Sequence, residues 1–153
     1  MTLLELVVTL AILSLAAALV LPRLPDRGLM ALDAAAAELR DGLGFGRERA
    51  ILGGARWRVV VDVDAGRWAV GRPRADGGLD TPVGPFASPV TLASPVRVLG
   101  VSAAGRPEVR GGTAIVDLAP DGDALPVRID LGDDRGRVRR IVLAPAVARA
   151  EVR

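Results

Sequence analysis

The sequence predicts an α+β protein: a long N-terminal α-helix packed on a small domain of antiparallel strands. Three observations predict it. Residues 6–21, LVVTLAILSLAAALVL, carry no charge. Residues 29–50 then place apolar side chains at steps of three and four. From Arg56 the period drops to two, with Gly, Pro and Asp marking turns between short runs.

The apolar half of the helix comes first. Thr2 to Leu21 is 20 residues, roughly 30 Å as a helix, which matches a bilayer core. Its only charge is Glu5, and Pro22 and Pro25 interrupt it. A cleaved signal peptide fits poorly, because the early charge is negative and "PRLPDRG" lacks a small-x-small cleavage pattern. A buried core helix fits poorly too, since the segment has no polar face to turn outward. Membrane insertion is the favoured reading for residues 1–24.

Residues 25–54 form the amphipathic half. Leu29, Leu32, Ala36, Leu39, Leu43 and Ala50 make the stripe, and Asp33, Glu38, Arg40, Asp41, Arg47, Glu48 and Arg49 mostly occupy other faces. Gly42, Gly44 and Gly46 each weaken a helix by up to about 1 kcal/mol relative to Ala. Tertiary packing must hold this stretch, with a local break as the alternative. Gly53-Gly54 ends it.

The β-rich domain occupies residues 55–153. In RWRVVVDV, Trp57, Val59, Val61 and Val63 share one face. Asp64-Ala65-Gly66 turns the chain into RWAVGR, the return strand of a hairpin. Residues 71–89 read as a long loop, weakly ordered or functional. Strands follow at 89–92, 95–101, 113–118, 125–131, 137–143 and 146–152.

Composition excludes several function classes. The chain has no Cys, so it offers no thiolate nucleophile, disulfide or Cys-ligated zinc. It has no His, which removes the usual general base near neutral pH. The acidic pairs Asp62/Asp64, Asp121/Asp123 and Asp133/Asp134 complete no calcium pattern, and turn formation explains them better. No metal, cofactor or catalytic residue is expected. All 20 basic residues are Arg, and the net charge is only +2. Residues 117–134 hold six Asp against one Arg, and residues 135–153 hold six Arg against one Glu. These charges pair across neighbouring strands, or else the Arg cluster contacts phosphate backbones.

The stretch TLLELVVTLAILSLAAALVLPRL resembles the N-terminus of type IV pilin-like proteins. Their mature start is Phe-Thr-Leu-Leu-Glu, and Pro at position 22 is common. Thr2, Leu3, Leu4, Glu5 and Pro22 match in place. Met1 stands where Phe is usual, either as the start of a processed form or through a late start assignment. The rest resembles the minor pseudopilins of type II secretion of the H type, which share a domain family with the FimT and FimU minor pilins. RERAILGGARWRVVVDVDAGRW, AIVDLAPDGDALPVRIDL and the basic hairpin GRVRRIVLAPAVARAEVR carry this resemblance.

The resemblance implies a long helix packed on a small β-sandwich. It implies a non-enzymatic subunit near the tip of a short pilus-like fibre, assembled from other pseudopilins or pilins. It also implies a single pass through the bacterial inner membrane, with the globular domain in the periplasm. A prepilin peptidase/methyltransferase would process and methylate the N-terminus at Met1. Physics agrees about Glu5: an intramembrane carboxylate costs a few kcal/mol unless paired, and a neighbour's N-terminal charge could pair it. The alternative is a minor pilin of a type IV pilus, serving pilus assembly or DNA capture. Members that bind DNA carry Gly-Arg-x-Arg near the C-terminus. Gly136-Arg137-Val138-Arg139 matches in letters, so under that alternative Arg137, Arg139 and Arg140 would contact DNA.

Overall fold

The computed structural model describes residues 2–20, 26–122, 125–144 and 151–152. Two helices come first: α1, Leu3–Val20, and α2, Arg27–Gly53. Nine strands follow among the described residues: β1 Trp57–Asp62, β2 Arg67–Pro73, β3 Leu79–Asp80, β4 Val90–Thr91, β5 Arg97–Ala103, β6 Thr113–Leu118, β7 Val127–Gly132, β8 Val138–Leu143 and β9 Glu151–Val152. The α+β class therefore holds. Residues 146–150 of the last expected strand lie outside the described residues.

The strands form two antiparallel sheets. One runs β3-β2-β1-β6, with β4 also pairing β2, and the other runs β5-β7-β8-β9. The chain crosses between sheets from β4 to β5, from β5 to β6 and again from β6 to β7. Helix α2 contacts β1, β2 and β6 of the first sheet and β7, β8 and β9 of the second. The core thus lies between α2 and the sheets.

Helix α2 forms because its boundary residues and its apolar stripe agree. Asp26 caps its start, accepting from the Gly28 N–H at 3.0 Å and the Leu29 N–H at 3.3 Å. Gly54 closes its end in the left-handed region, with φ 56°, and its N–H reaches Ala50 and Ile51 carbonyls. Of the expected stripe, Leu32, Ala36, Leu39, Leu43 and Ala50 are buried against the sheets, Leu29 is half-buried, and Ala35 joins them.

The glycines that looked like weak points have different roles. A Cβ on Gly42 would sit 2.3 Å from the Trp68 ring, and one on Gly46 would sit 2.8 Å from Leu118 and Val70. These two let the helix approach the first sheet closely. Gly44 has nothing within 4 Å. The helix runs through all three without a break.

The hairpin β1–β2 appears as the period-two pattern predicts, and Trp57, Val59, Val61 and Val63 are all buried. The 71–89 loop is more ordered than its composition suggested. Leu79–Asp80 pairs with β2 as β3, after a turn in which the Arg74 N–H donates to the Gly78 carbonyl at 2.9 Å. Phe86 then anchors the loop, 5.5 Å from Phe45 and 5.4 Å from Trp68 between ring centroids. Trp57 adds an edge contact to Phe45 at 6.0 Å. The four aromatic residues of the chain thus join α2, β1, β2 and the loop in one cluster.

Candidate functional site

Helix α1 presents carbon on every side. Leu3 is 83% exposed, Leu15 66% and Ile12 61%, and Leu4, Leu6, Val7, Val8, Leu10 and Leu13 are exposed with them. Its hydroxyls are turned inward. Thr9 donates to the Glu5 and Leu6 carbonyls at 2.9 Å, and Ser14 donates to the Leu10 carbonyl at 2.8 Å. That arrangement satisfies the polar side chains within the helix and leaves an apolar exterior. So large an exposed apolar surface marks a site that something else must cover.

Glu5 is exposed on this helix, and its carboxylate has no hydrogen bond or ion pair among the described residues. Its main-chain N–H bonds to Thr2, to the carbonyl at 3.1 Å and to Oγ1 at 3.4 Å. Thr2 therefore caps α1, and TLLE is half of a capping box. The Thr-x-x-Glu spacing before an apolar run is the signal that would have revealed this cap. Leu3 and Leu4 lie in the first turn. Met1 and Pro22 lie outside the described residues.

Among the described residues, no helix is long and apolar enough to cross a membrane. The described α1 has 18 residues, about 27 Å of helix against a bilayer core of roughly 30 Å.

The second feature sits where α2 begins. Asp26 does more than cap the helix: its Oδ2 accepts from Arg137 Nη1 at 2.7 Å and from Arg135 Nη1. Arg137 also donates through Nε to Asp133 Oδ2 at 2.6 Å. Asp133 is 1% exposed. Its other oxygen accepts the Arg135 N–H at 3.0 Å and the Arg137 N–H at 2.9 Å, which shapes the β7–β8 turn. One guanidinium thus ties the first turn of α2 to the tip of a β-hairpin. Arg139 repeats the link lower down, donating to Asp33 at 2.7 Å. Arg140 pairs with Asp130, directly opposite on β7, at 2.9 Å.

The electrostatics follow from these contacts. The Arg137 hydrogen bonds, helped by the Leu29 N–H and the Arg135 charge, hold the Asp26 carboxyl at about 2 despite partial burial. Burial pushes Asp133 up, but hydrogen bonds from the Arg137 side chain and from two main-chain N–H groups outweigh it, and its pKa is lowered. Hydrogen bonds to Asp26 and Asp133 push Arg137 up, and Asp130 does the same for Arg140.

The charge asymmetry of the sequence thus has a structural account. Arg137, Arg139 and Arg140 each hold a carboxylate of the same chain. The cross-strand pair Asp130–Arg140 was legible from the alternation, whereas the reach of Arg135, Arg137 and Arg139 to α2 was not. Among the described residues, no three His, Cys, Asp or Glu side chains gather to hold a metal ion.

No protein-family model and no curated protein matches the chain. Solved structures do match, among them two of the minor pseudopilin EpsH from the type II secretion system of Vibrio cholerae. One aligns with a TM-score of 0.62 at 18% identity, covering 80% of this chain and 95% of EpsH. The other aligns with a TM-score of 0.63 at 16% identity, covering 80% and 92%. The fold is that of a minor pseudopilin. Two features accompany that likeness: the apolar surface of α1, exposed among the described residues, and the clasp that ties the start of α2 to the β domain.

Proposed function

We propose that this chain is a minor pseudopilin: a non-enzymatic subunit at or near the tip of a type II secretion pseudopilus, supporting protein export across the outer membrane. The observation that carries the reading is α1, apolar on every side with one carboxylate unpartnered among the described residues, on a domain folded like EpsH. In this reading the segment from Thr2 to Leu21 inserts as a single pass in the bacterial inner membrane, and the globular domain lies in the periplasm. A prepilin peptidase/methyltransferase matures the N-terminus.

Assembly then packs α1 against the same helices of other pseudopilins. A neighbour's N-terminal ammonium pairs with Glu5, and two charges that are each costly alone select one axial register. The Asp26–Arg137–Asp133 clasp fixes the start of α2 to the β domain.

DNA capture finds less support, because Arg137, Arg139 and Arg140 are occupied by Asp26, Asp133, Asp33 and Asp130. The test is deletion of the gene. Loss of protein export with surface pili intact supports the secretion role. Intact export with lost pili or lost DNA uptake overturns it.

A further inference from the structure

The first sheet ends on β6, which has no strand on its outer side among the described residues. The Val63 N–H donates to the Gly112 carbonyl at 2.9 Å, one step beyond the β1–β6 register. Hydrogen-bonded pairs alternate along an antiparallel ladder, so Val61–Ala114 and Val59–Val116 belong to the bonded set. Thr113, Ile115 and Asp117 therefore turn their main-chain N–H and C=O groups to the open edge. None of these groups has a partner among the described residues.

This edge lacks the usual protections of Lys, Pro or a bulge. The β6 sequence is TAIVDL, and its one charge, Asp117, is taken by Arg58 at 2.7 Å. Ile115 is 42% exposed on it. The outer strand of the other sheet is treated differently: Val109 covers β5 by exchanging two hydrogen bonds with Val101, at 2.9 and 2.8 Å.

A groove of about 310 Å³ runs beside β6. Ile115, Leu125, Ala103 and Val127 supply its apolar part, and Arg56 and Arg106 stand in its wall. Both Arg side chains are exposed, and neither guanidinium has a hydrogen bond or ion pair among the described residues. Asp117 and Asp121 also line the groove, but both are already partnered within the chain.

We propose that the β6 edge and this groove bind an extended segment of a partner protein, one that sets a carboxylate side chain beside an apolar one. The segment adds as a strand along Thr113–Asp117, its apolar side chain enters the groove, and its carboxylate meets Arg56 and Arg106. The inference stands apart from the role proposed for α1 and does not require it.

The test uses the full ¹⁵N-labelled chain in detergent micelles with two blocked hexapeptide probes. One carries Val and Glu two residues apart with Ser between them, so that both side chains fall on one face of a strand, and the other carries Lys in place of Glu. The acidic peptide is expected to move the amide resonances of Thr113, Ile115 and Asp117, and to bind roughly tenfold tighter than the basic one. Ile115→Pro removes an outward N–H while sparing the β1 ladder, and should abolish the shifts. Replacing Arg56 and Arg106 together by Glu should reverse the preference between the peptides. Equal binding of both peptides, or β6 amides that do not move, would overturn the proposal. So would concentration-dependent shifts at β6 without peptide, which would make a second copy of this chain the occupant.

Discussion

Helix α1 leaves Leu6, Leu10 and Leu13 in solvent, while α2 buries Leu32, Leu39 and Leu43 completely. The two segments use similar side chains. They differ in how those side chains are distributed around the axis. In α2 the apolar residues fall on one stripe, and the two sheets supply its partner. In α1 they cover the whole circumference, and the described residues hold no surface packed against it. The lesson is that α2 is a folding element, whereas α1, in the proposed reading, is one that assembly covers. The clasp at Asp26 holds the start of α2.

The comparison can be broken most sharply by equal truncations in the two helices. Leu43→Ala should destabilise the globular domain by about 2–5 kcal/mol, through lost burial and a cavity. Leu13→Ala should leave that domain within about 0.5 kcal/mol of wild type. Thermal unfolding of the full chain in detergent, followed through Trp57 and Trp68 fluorescence, separates the two. An equal loss from both variants would mean that α1 packs on the domain.

A smaller effect separates the glycines of α2. Gly42→Ala drives a methyl into the Trp68 ring and should cost about 1–3 kcal/mol. Gly44→Ala meets nothing and should stabilise by up to about 1 kcal/mol. The same unfolding measurement checks both signs.

The smallest expected effect concerns the clasp. Asp26 sits at about 2 in the folded chain against 3.8 as an ordinary carboxylate. A folded-state pKa below the unfolded one contributes stability above the unfolded value, and this is lost as pH falls through the folded value. The contribution should therefore be complete above about pH 4 and fade towards pH 2. Arg137→Met should lower the melting temperature at pH 6, and the gap from wild type should narrow across that window. A gap that stays constant with pH would show that the clasp contributes packing alone.

Much of the architecture was legible in the sequence. The stripe at Leu32, Ala36, Leu39, Leu43 and Ala50 gave α2, and alternation gave β1, β2 and β6, with β6 matching at both ends. What was missed depends on contacts between distant residues. Gly42 and Gly46 looked destabilising because local propensity counts only the helix, and the Trp68 and Leu118 surfaces that require them lie far along the chain. Strand β3 has two residues, too few to show a period, and it exists because β2 offers it an edge. The Arg-rich hairpin was readable as charge, but its partners Asp26 and Asp33 lie over a hundred residues away in sequence. Glu5 was the most legible feature of the candidate site, because a lone carboxylate in an apolar run is conspicuous without any structure. The Thr2 cap beside it is equally visible in the letters TLLE, whose Thr-x-x-Glu spacing is half of a capping box.

The central claim is that α1 exists to be covered by neighbouring subunits, with Glu5 setting its register. Its most direct test is Glu5→Val expressed in cells that make the fibre, with membranes and sheared fibres assayed separately. The account predicts wild-type amounts of the variant in the inner membrane and a reduction of about tenfold or more in the fibre, as expected for losing a buried charge pair. Incorporation of the variant at the wild-type level would contradict it.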